Sequence, residues 1–273
     1  LNGEYLPFRL ADEVEQFIDT HRDDPFFALL SFYEVHNPRQ SPDPLVQKYL
    51  WKRERLDLDA KSEFEPIEVG QSWEEGRAQK ARVVQGHPVY AAMVDALDHS
   101  GGQVLEALSE RRLSENTVVV FVSDNGGLST AEGHNTSNRP LRCGKGWVYE
   151  GGIRVPHVIY WPGVTYTGST TDVPAIMTDL YPTLFDAAGL PKCPDEHVDG
   201  TSLAPVLKGR SSLDRDALFW HYPHYSNQGG FPGGAVRSGP WKLVEDYRDG
   251  SVQLFNLERD PGGQQDVSVE HPE

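Results

Sequence analysis

Asp124 and Asn125 close an apolar run, residues 117–123, and two glycines, Gly126 and Gly127, follow at once. Both side chains present hard oxygen donors, which suit Ca²⁺ or Mg²⁺ better than Zn²⁺. The glycines allow backbone angles that other residues resist and leave room for a ligand. A plain turn accounts for the same four residues, because Asp, Asn and Gly dominate turns, and from these four alone it is the stronger reading. Two side chains also fall short of the ~6–8 oxygens that Ca²⁺ takes.

Downstream, residues 136–163 form a long glycine-punctuated stretch that carries Arg139, Arg142, Lys145 and Arg154. The whole chain has a formal net charge of −16, so this is a local cationic patch on an acidic protein. Lys145 lies between Gly144 and Gly146, either simply exposed or aimed at an anion. Arg142 and Arg154 are expected in structural ion pairs with acids such as Glu150. His36, in a proline-broken loop, reads by itself as a solvated or structural histidine. His221 and His224, in "FWHYPHYSNQGG", have two readings. They line the mouth of a pocket and read a substrate, or they pack on Tyr222 and Tyr225. Asn135-Thr136-Ser137 is a formal glycosylation sequon, read here as chance.

These residues need elements to position them. Leu10, Val14, Phe17 and Ile18 share one face of an amphipathic helix over 9–22. "PFFALLSF" (25–32) is an apolar run of strand length after a turn signal. Residues 33–44 read as loop, and 52–86 as an irregular surface excursion. A long helix is expected over 89–112, weakened or bent at Gly101 and Gly102. The β-branched run 117–123 reads as a strand buried on both faces. Strand, long helix, strand implies a parallel crossover and an α/β sheet, with ligands at the carboxyl ends of its strands. Another short run, "PHVIYWPG", precedes a helix over 177–190 that stops at Gly189. From 217 onward, short alternating strands and the turn signal "RDGS" predict a small antiparallel sheet.

The 273 residues suffice for one large domain or one domain plus an appendage. The acidic balance argues against nonspecific binding to nucleic acid or anionic membranes. No apolar run reaches membrane-spanning length. Cys143 and Cys193 make no disulfide framework and no metal-ligand spacing. The chain opens on Leu1 inside running sequence, and the expectation is a fragment whose N-terminal part lies outside it.

"VSDNGG" followed by "TSNRPLRCGKGWVYEGGIRVP" resembles the second half of a type I sulfatase, an arylsulfatase-like enzyme of the alkaline phosphatase superfamily. "PFFALLSFYEVHNP", "YAAMVDALDHSGGQVLEAL", "MTDLYPTLFDAAGLP", "VDGTSLAPVLKG" and "LFNLERDPGGQQDVSVEHPE" continue the likeness in order over nearly the whole chain. The resemblance implies an alkaline phosphatase-like α/β fold, a mostly parallel sheet flanked by helices over residues 1–210, with a small antiparallel subdomain over 211–273. It implies Asp124 and Asn125 as ligands of a divalent cation, Ca²⁺ or Mg²⁺ in its place. Lys145 would contact the sulfate and the bridging oxygen, and His36 would protonate the leaving alkoxide, with His221 and His224 as further substrate contacts. Fixed cations and acids at that oxygen lower the barrier to ester cleavage. The implied substrate is a sulfate ester, most commonly of a sulfated carbohydrate, and the implied location is periplasmic, extracellular or lysosomal.

One departure matters. The family's Cys/Ser-x-Pro/Ala-x-Arg motif, whose first residue becomes the nucleophilic formylglycine, is not in this chain, nor is the aspartate pair that completes the metal site. Formylglycine is therefore expected only in an N-terminal part outside these residues. A phosphoester or phosphonate hydrolase of the same superfamily, and a noncatalytic binder of sulfated glycans, remain as alternatives.

Overall fold

The structure is a computed structural model that describes residues 4–59, 61–67, 79–196 and 198–272. The chain forms two compact units, one of residues 1–65 and 82–117, the other of 66–81 and 118–273. Their first elements are α1 (Leu6–His21), α2 (Asp43–Arg55), β1 (Phe64–Pro66), β2 (Lys80–Arg82) and α3 (Pro88–Glu110).

In the first unit, α1 and α2 both pack on α3. Ala11, Ala92, Ala96 and Ala107 are fully or almost fully buried, and their small side chains let the helices approach closely around Ile18, Met93 and Leu108. Arg111, just past the end of α3, clamps α1 by donating to Asp19 at 2.7 Å and Glu15 at 2.9 Å. The helix runs unbroken through Gly101 and Gly102, where weakening or a bend was expected; a Cβ at either would meet only open space. The irregular reading of 52–86 holds in part, since α2 extends to Arg55 and short strands occur at 64–66 and 80–82. Residues 68–78 lie outside the described residues.

His87 caps α3. Its Nδ1 lies 3.3 Å from the Tyr90 N–H, and its Nε2 lies 2.8 Å from Nη1 of Arg39. The neutral ring has one acceptor nitrogen and the imidazolium none, so protonation sets the ring against both donors. Burial, then Arg39 and Arg82, push its pKa down to about 4. The unfolded ring titrates near 6.5, so this contribution to stability is complete above that pH and is lost as pH falls toward about 4. The full shift corresponds to roughly 3 kcal/mol, and solvent screening of a half-exposed ring reduces this to ~1–2 kcal/mol. His87→Asn keeps a capping side chain and does not titrate. Urea denaturation at pH 7 and pH 4.5 should therefore show a smaller pH-dependent loss for the variant by that amount. Parallel losses would refute the assignment.

The second unit contains β3 (Val119–Val122), α4 (Glu150–Ile153), β4 (His157–Tyr160), α5 (Leu180–Ala188), α6 (Ala204–Leu207), and strands β5 (Leu218–Tyr222), β6 (Gly233–Ser238), β7 (Trp241–Asp246) and β8 (Val252–Asn256). α5 ends as expected, on Gly189 in the left-handed conformation at φ 65°. β5 to β8 form the antiparallel meander expected of the C-terminal region, in the order β5-β6-β7-β8. Lys242, Val244 and Asp246 alternate onto the buried face of β7. That face, with Ala235 and Phe255, packs against Cys143, Trp147, Val148, Tyr149 and Phe231. The hydrophobic core of this unit is thus built from the C-terminal sheet and the segment that carries Lys145.

The mostly parallel sheet is not what the described residues form. β3 pairs with β4 in an antiparallel ladder, Val119 opposite Tyr160 and Val122 opposite His157. The apolar run 25–32 is extended but forms no ladder among the described residues, and Phe27 and Leu29 are 72% and 79% exposed. A β-branched run specifies an extended chain; the direction of its neighbour is a matter of tertiary pairing. No helix among the described residues is long and apolar enough to cross a membrane.

Candidate active site

The turn at the end of β3 is held by backbone. Ser123 N–H donates to Pro156 O at 3.4 Å, and Gly126 N–H to Gly152 O at 2.8 Å. The carbonyl of Gly151 comes so close to Gly126 that a Cβ there would stand 1.7 Å from the oxygen. This explains the first glycine after Asp124-Asn125: the α4 turn occupies the space of a side chain. The Asp124 carboxylate accepts from Asn125 N–H at 2.9 Å, and the Ser123 hydroxyl donates to Asn125 O at 3.0 Å.

Lys145 is brought to the same place by its own backbone, whose N–H donates to Gly127 O at 3.1 Å. Asn138 reinforces that junction. Its Oδ1 accepts from Gly127 N–H at 3.1 Å, and its Nδ2 donates to Gly127 O at 2.7 Å and Cys143 O at 2.9 Å. One amide side chain therefore ties the Asp124 turn to the Lys145 loop. From the other side, the carbonyl of Gly146 fills the space a Cβ at Gly230 would need, at 1.7 Å. Gln228 O accepts from Trp147 Nε1 at 3.1 Å and from the Thr130 hydroxyl at 2.6 Å. The loop after His224 thus packs on the loop that bears Lys145.

Among the described residues the Lys145 ammonium makes no ion pair or hydrogen bond, and neither does the Asn125 side-chain amide. A half-buried ammonium without a carboxylate, one loop away from two oxygen donors, is an arrangement suited to an anion with a metal beside it. Asp124 and Asn125 fit a hard cation by donor type. They provide only part of a shell, and among the described residues no cluster of three His, Cys, Asp or Glu completes it.

His36 lies in the first unit. It is exposed, with Nδ1 2.9 Å from Asn37 O and its ring edge-on to Tyr33 at 5.5 Å. His221 is exposed on β5, its Nδ1 3.0 Å from the Tyr247 hydroxyl. It borders a shallow cavity of about 380 Å³ on the outer sheet face, with Phe219 and Glu245. His224 is exposed and meets Tyr222 edge-to-face at 5.8 Å. Of the two tyrosines named in the packing reading, Tyr222 meets His224, while His221 meets Tyr247 instead.

Three further expectations resolve. Arg142 does not pair with Glu150: its guanidinium stacks 4.4 Å over Tyr149 and 5.7 Å over Phe255. Arg154 approaches Glu150 at 3.9 Å, but the close partner of Glu150 is Lys242, at 2.8 Å. Asn135 of the sequon is 2% exposed, which closes it to modification in the folded state. Burial pushes the Cys143 thiol up to about 12, so it is no nucleophile at neutral pH. Sequence reasoning missed Asn138 and the Glu150–Lys242 pair. A lysine at an inward position of the alternating β7 pattern was the available signal for the latter.

Residues 2–190 match the sequence profile of the sulfatase family, and residues 143–272 match that of the N-sulphoglucosamine sulphohydrolase C-terminal region. The chain belongs to the sulfatase family. It is 34% identical to a sulfatase of Formosa agariphila over 288 aligned positions, covering 98% of this chain and 47% of that protein. Human steryl-sulfatase is 32% identical over 222 positions, 80% of this chain and 32% of that protein. Among solved structures, Ps i-CgsB superposes with a TM-score of 0.75 at 28% identity, over 98% of this chain and 52% of that one. The phosphonate monoester hydrolase of Agrobacterium radiobacter shares the fold, with a TM-score of 0.66 at 22% identity over 98% of this chain and 57% of that one. The fold is thus that of the alkaline phosphatase-like sulfatases, and the chain spans only about a third to a half of the length of the relatives it matches.

Proposed function

We propose that the protein is a metal-dependent hydrolase of sulfate esters of carbohydrates, and that its nucleophile comes from outside residues 1–273. The observation that carries this reading is the junction of Asp124, Asn125 and Lys145: the Lys145 backbone is tied to Gly127, two residues after Asn125, and its ammonium makes no ion pair or hydrogen bond among the described residues. The solved structure of Ps i-CgsB in complex with k-i-k-neocarrahexaose supports a carbohydrate substrate. Asp124 and Asn125 would hold a divalent cation, Ca²⁺ by family resemblance, which when bound polarises the sulfuryl oxygens as a Lewis acid. Lys145 holds the sulfate and balances charge at the bridging oxygen. His36, by family resemblance, gives a proton to the leaving alkoxide. His224, at the start of the loop that packs on the Lys145 segment, contacts the sugar; His221 faces the other side of the sheet and is left out of this contact.

A phosphonate or phosphate ester hydrolase is the second reading, motivated by the shared fold of the phosphonate monoester hydrolase. Paired sulfate and phosphate esters of the same alcohol, given to the full-length protein, separate the two. Preferential release of sulfate is expected, and preferential release of phosphate would overturn the assignment. Binding of a sulfated oligosaccharide with no turnover of either ester would identify a noncatalytic glycan-binding protein. Residues 1–273 alone are expected to release no sulfate from an aryl sulfate. Robust release by that segment would show that a nucleophile lies within residues 1–273 and would overturn the proposal.

A further inference from the structure

Glu150 and Lys242 form an ion pair of 2.8 Å in the core of the second unit, 3% and 1% exposed. The pair is costly. Desolvation pulls the lysine pKa down, and Arg237, its neighbour across the β6–β7 ladder, adds like charge. Buried pairs of this kind are often matched or bettered in stability by apolar residues of similar volume. Its use is therefore to be sought in direction, which apolar packing does not supply.

The direction is visible in what each partner holds. Lys242 is fixed by β7, an inner strand paired with β6 and β8, and its ammonium lies 5.6 Å from the Trp220 ring. Glu150 is the first residue of α4, and the next two residues make the contacts of the candidate site. Gly151 N–H donates to Arg142 O at 2.8 Å, in the loop of Lys145. Gly152 O accepts from Gly126 N–H at 2.8 Å, one residue after Asn125. The clearances leave no slack, since a Cβ on Gly152 would stand 2.0 Å from Trp147 O.

We propose that Glu150 and Lys242 are positioning residues, whose ion pair anchors the α4 turn to the C-terminal sheet and thereby sets the Asp124–Asn125 turn against the Lys145 loop. The role in sulfate ester chemistry rests on the function proposed above; the mechanical role does not. The C-terminal sheet then acts as a rigid support for the site.

The test uses the full-length protein with Glu150→Gln, with the double variant Glu150→Met/Lys242→Met, and with Lys145→Ala as a reference for the site. The double variant removes both charges and refills the volume. It is expected to keep a melting temperature near the wild type while losing about 10²-fold in kcat, with a smaller change in KM, because slight misplacement of a reacting group has that cost. Ca²⁺ affinity by calorimetry should weaken about tenfold. A double variant equal to wild type in melting temperature, kcat and Ca²⁺ affinity would overturn the proposal, since packing alone would then suffice. If the double variant does not fold, Glu150→Gln decides by amide exchange. Gly126 N–H should exchange about tenfold faster while amides of β6 and β7 keep their protection, and unchanged exchange at Gly126 refutes the positioning role. If Lys145→Ala leaves sulfate release intact, the functional reading fails, and the exchange result still judges the anchor.

Discussion

Replacing His36 with Ala in the full-length protein should damage hydrolysis of a sugar sulfate far more than hydrolysis of a nitrophenyl sulfate. A nitrophenoxide is a weak base and leaves without a proton. A sugar alkoxide is a strong base and needs an acid. General acid catalysis contributes ~10²–10⁴-fold, so the gap between the two substrates should approach that range. Lys145→Ala should instead damage both esters, because in the proposed mechanism its charge acts on the sulfate group as well as on the bridging oxygen. Loss of one preorganised charge contact costs about 10²–10³-fold in such sites. The measurement is kcat/KM for both variants on both esters, after confirming that each variant keeps its fold and its metal. Equal losses for His36→Ala on the two esters would mean that the ring binds sulfate or supports the loop, and the general-acid role would be wrong. Intact hydrolysis of both esters by Lys145→Ala would remove the central cation from the mechanism.

The second large effect is expected from a single methyl group. Gly126→Ala places a Cβ 1.7 Å from the carbonyl oxygen of Gly151, and the obstacle is backbone, not a flexible side-chain tip. Either the Gly126–Gly152 hydrogen bond breaks or α4 moves. Overpacking of this kind costs ~1–3 kcal/mol, and a backbone obstacle belongs at the upper end or above. The Asn125 turn should shift with it, so Ca²⁺ affinity should fall together with stability. Gly102→Ala is the opposite case. It lies inside α3 with open space around the new Cβ, and should stabilise the protein by ~0.5–1 kcal/mol. Urea denaturation of the two variants beside the wild type reads both effects. A Gly126→Ala protein as stable as wild type would contradict the close approach on which the site geometry depends.

Much of the candidate site's local structure was legible before the fold. The Asp-Asn-Gly-Gly turn after an apolar run, the cationic glycine-rich stretch and the lone lysine between glycines are local features, and local chemistry determines them. The two helices were legible as well, although of the residues read as their apolar faces only Ile18, Met93 and Leu108 are buried and small side chains such as Ala11, Ala92 and Ala96 fill the rest; so was the C-terminal meander, whose turn at "RDGS" places Gly250 at φ 73°. The resemblance of ordered motifs supplied the family, because five weak matches in sequence order constrain far more than one strong one.

What the tertiary structure alone decided depends on partners distant in sequence. The run 117–123 announces a strand, but an apolar β-branched segment has no preference for the direction of its neighbour, and β4 answered it antiparallel. Glu150 and Lys242 are 92 residues apart, and neither charge marks itself as buried until the sheet folds over α4. Arg142 carries a charge that suggests an acid, yet its flat guanidinium stacks on Tyr149 because Phe255 and Tyr149 form the wall beside it. Gly126 reads as a turn glycine in sequence. Its physical reason is the carbonyl of Gly151, which only the packing of two loops brings within reach. Residue types and local angles are set by short-range sterics and hydrogen bonding; the pairing of buried charges and the clearance between backbones are set by which distant segments exclude water together.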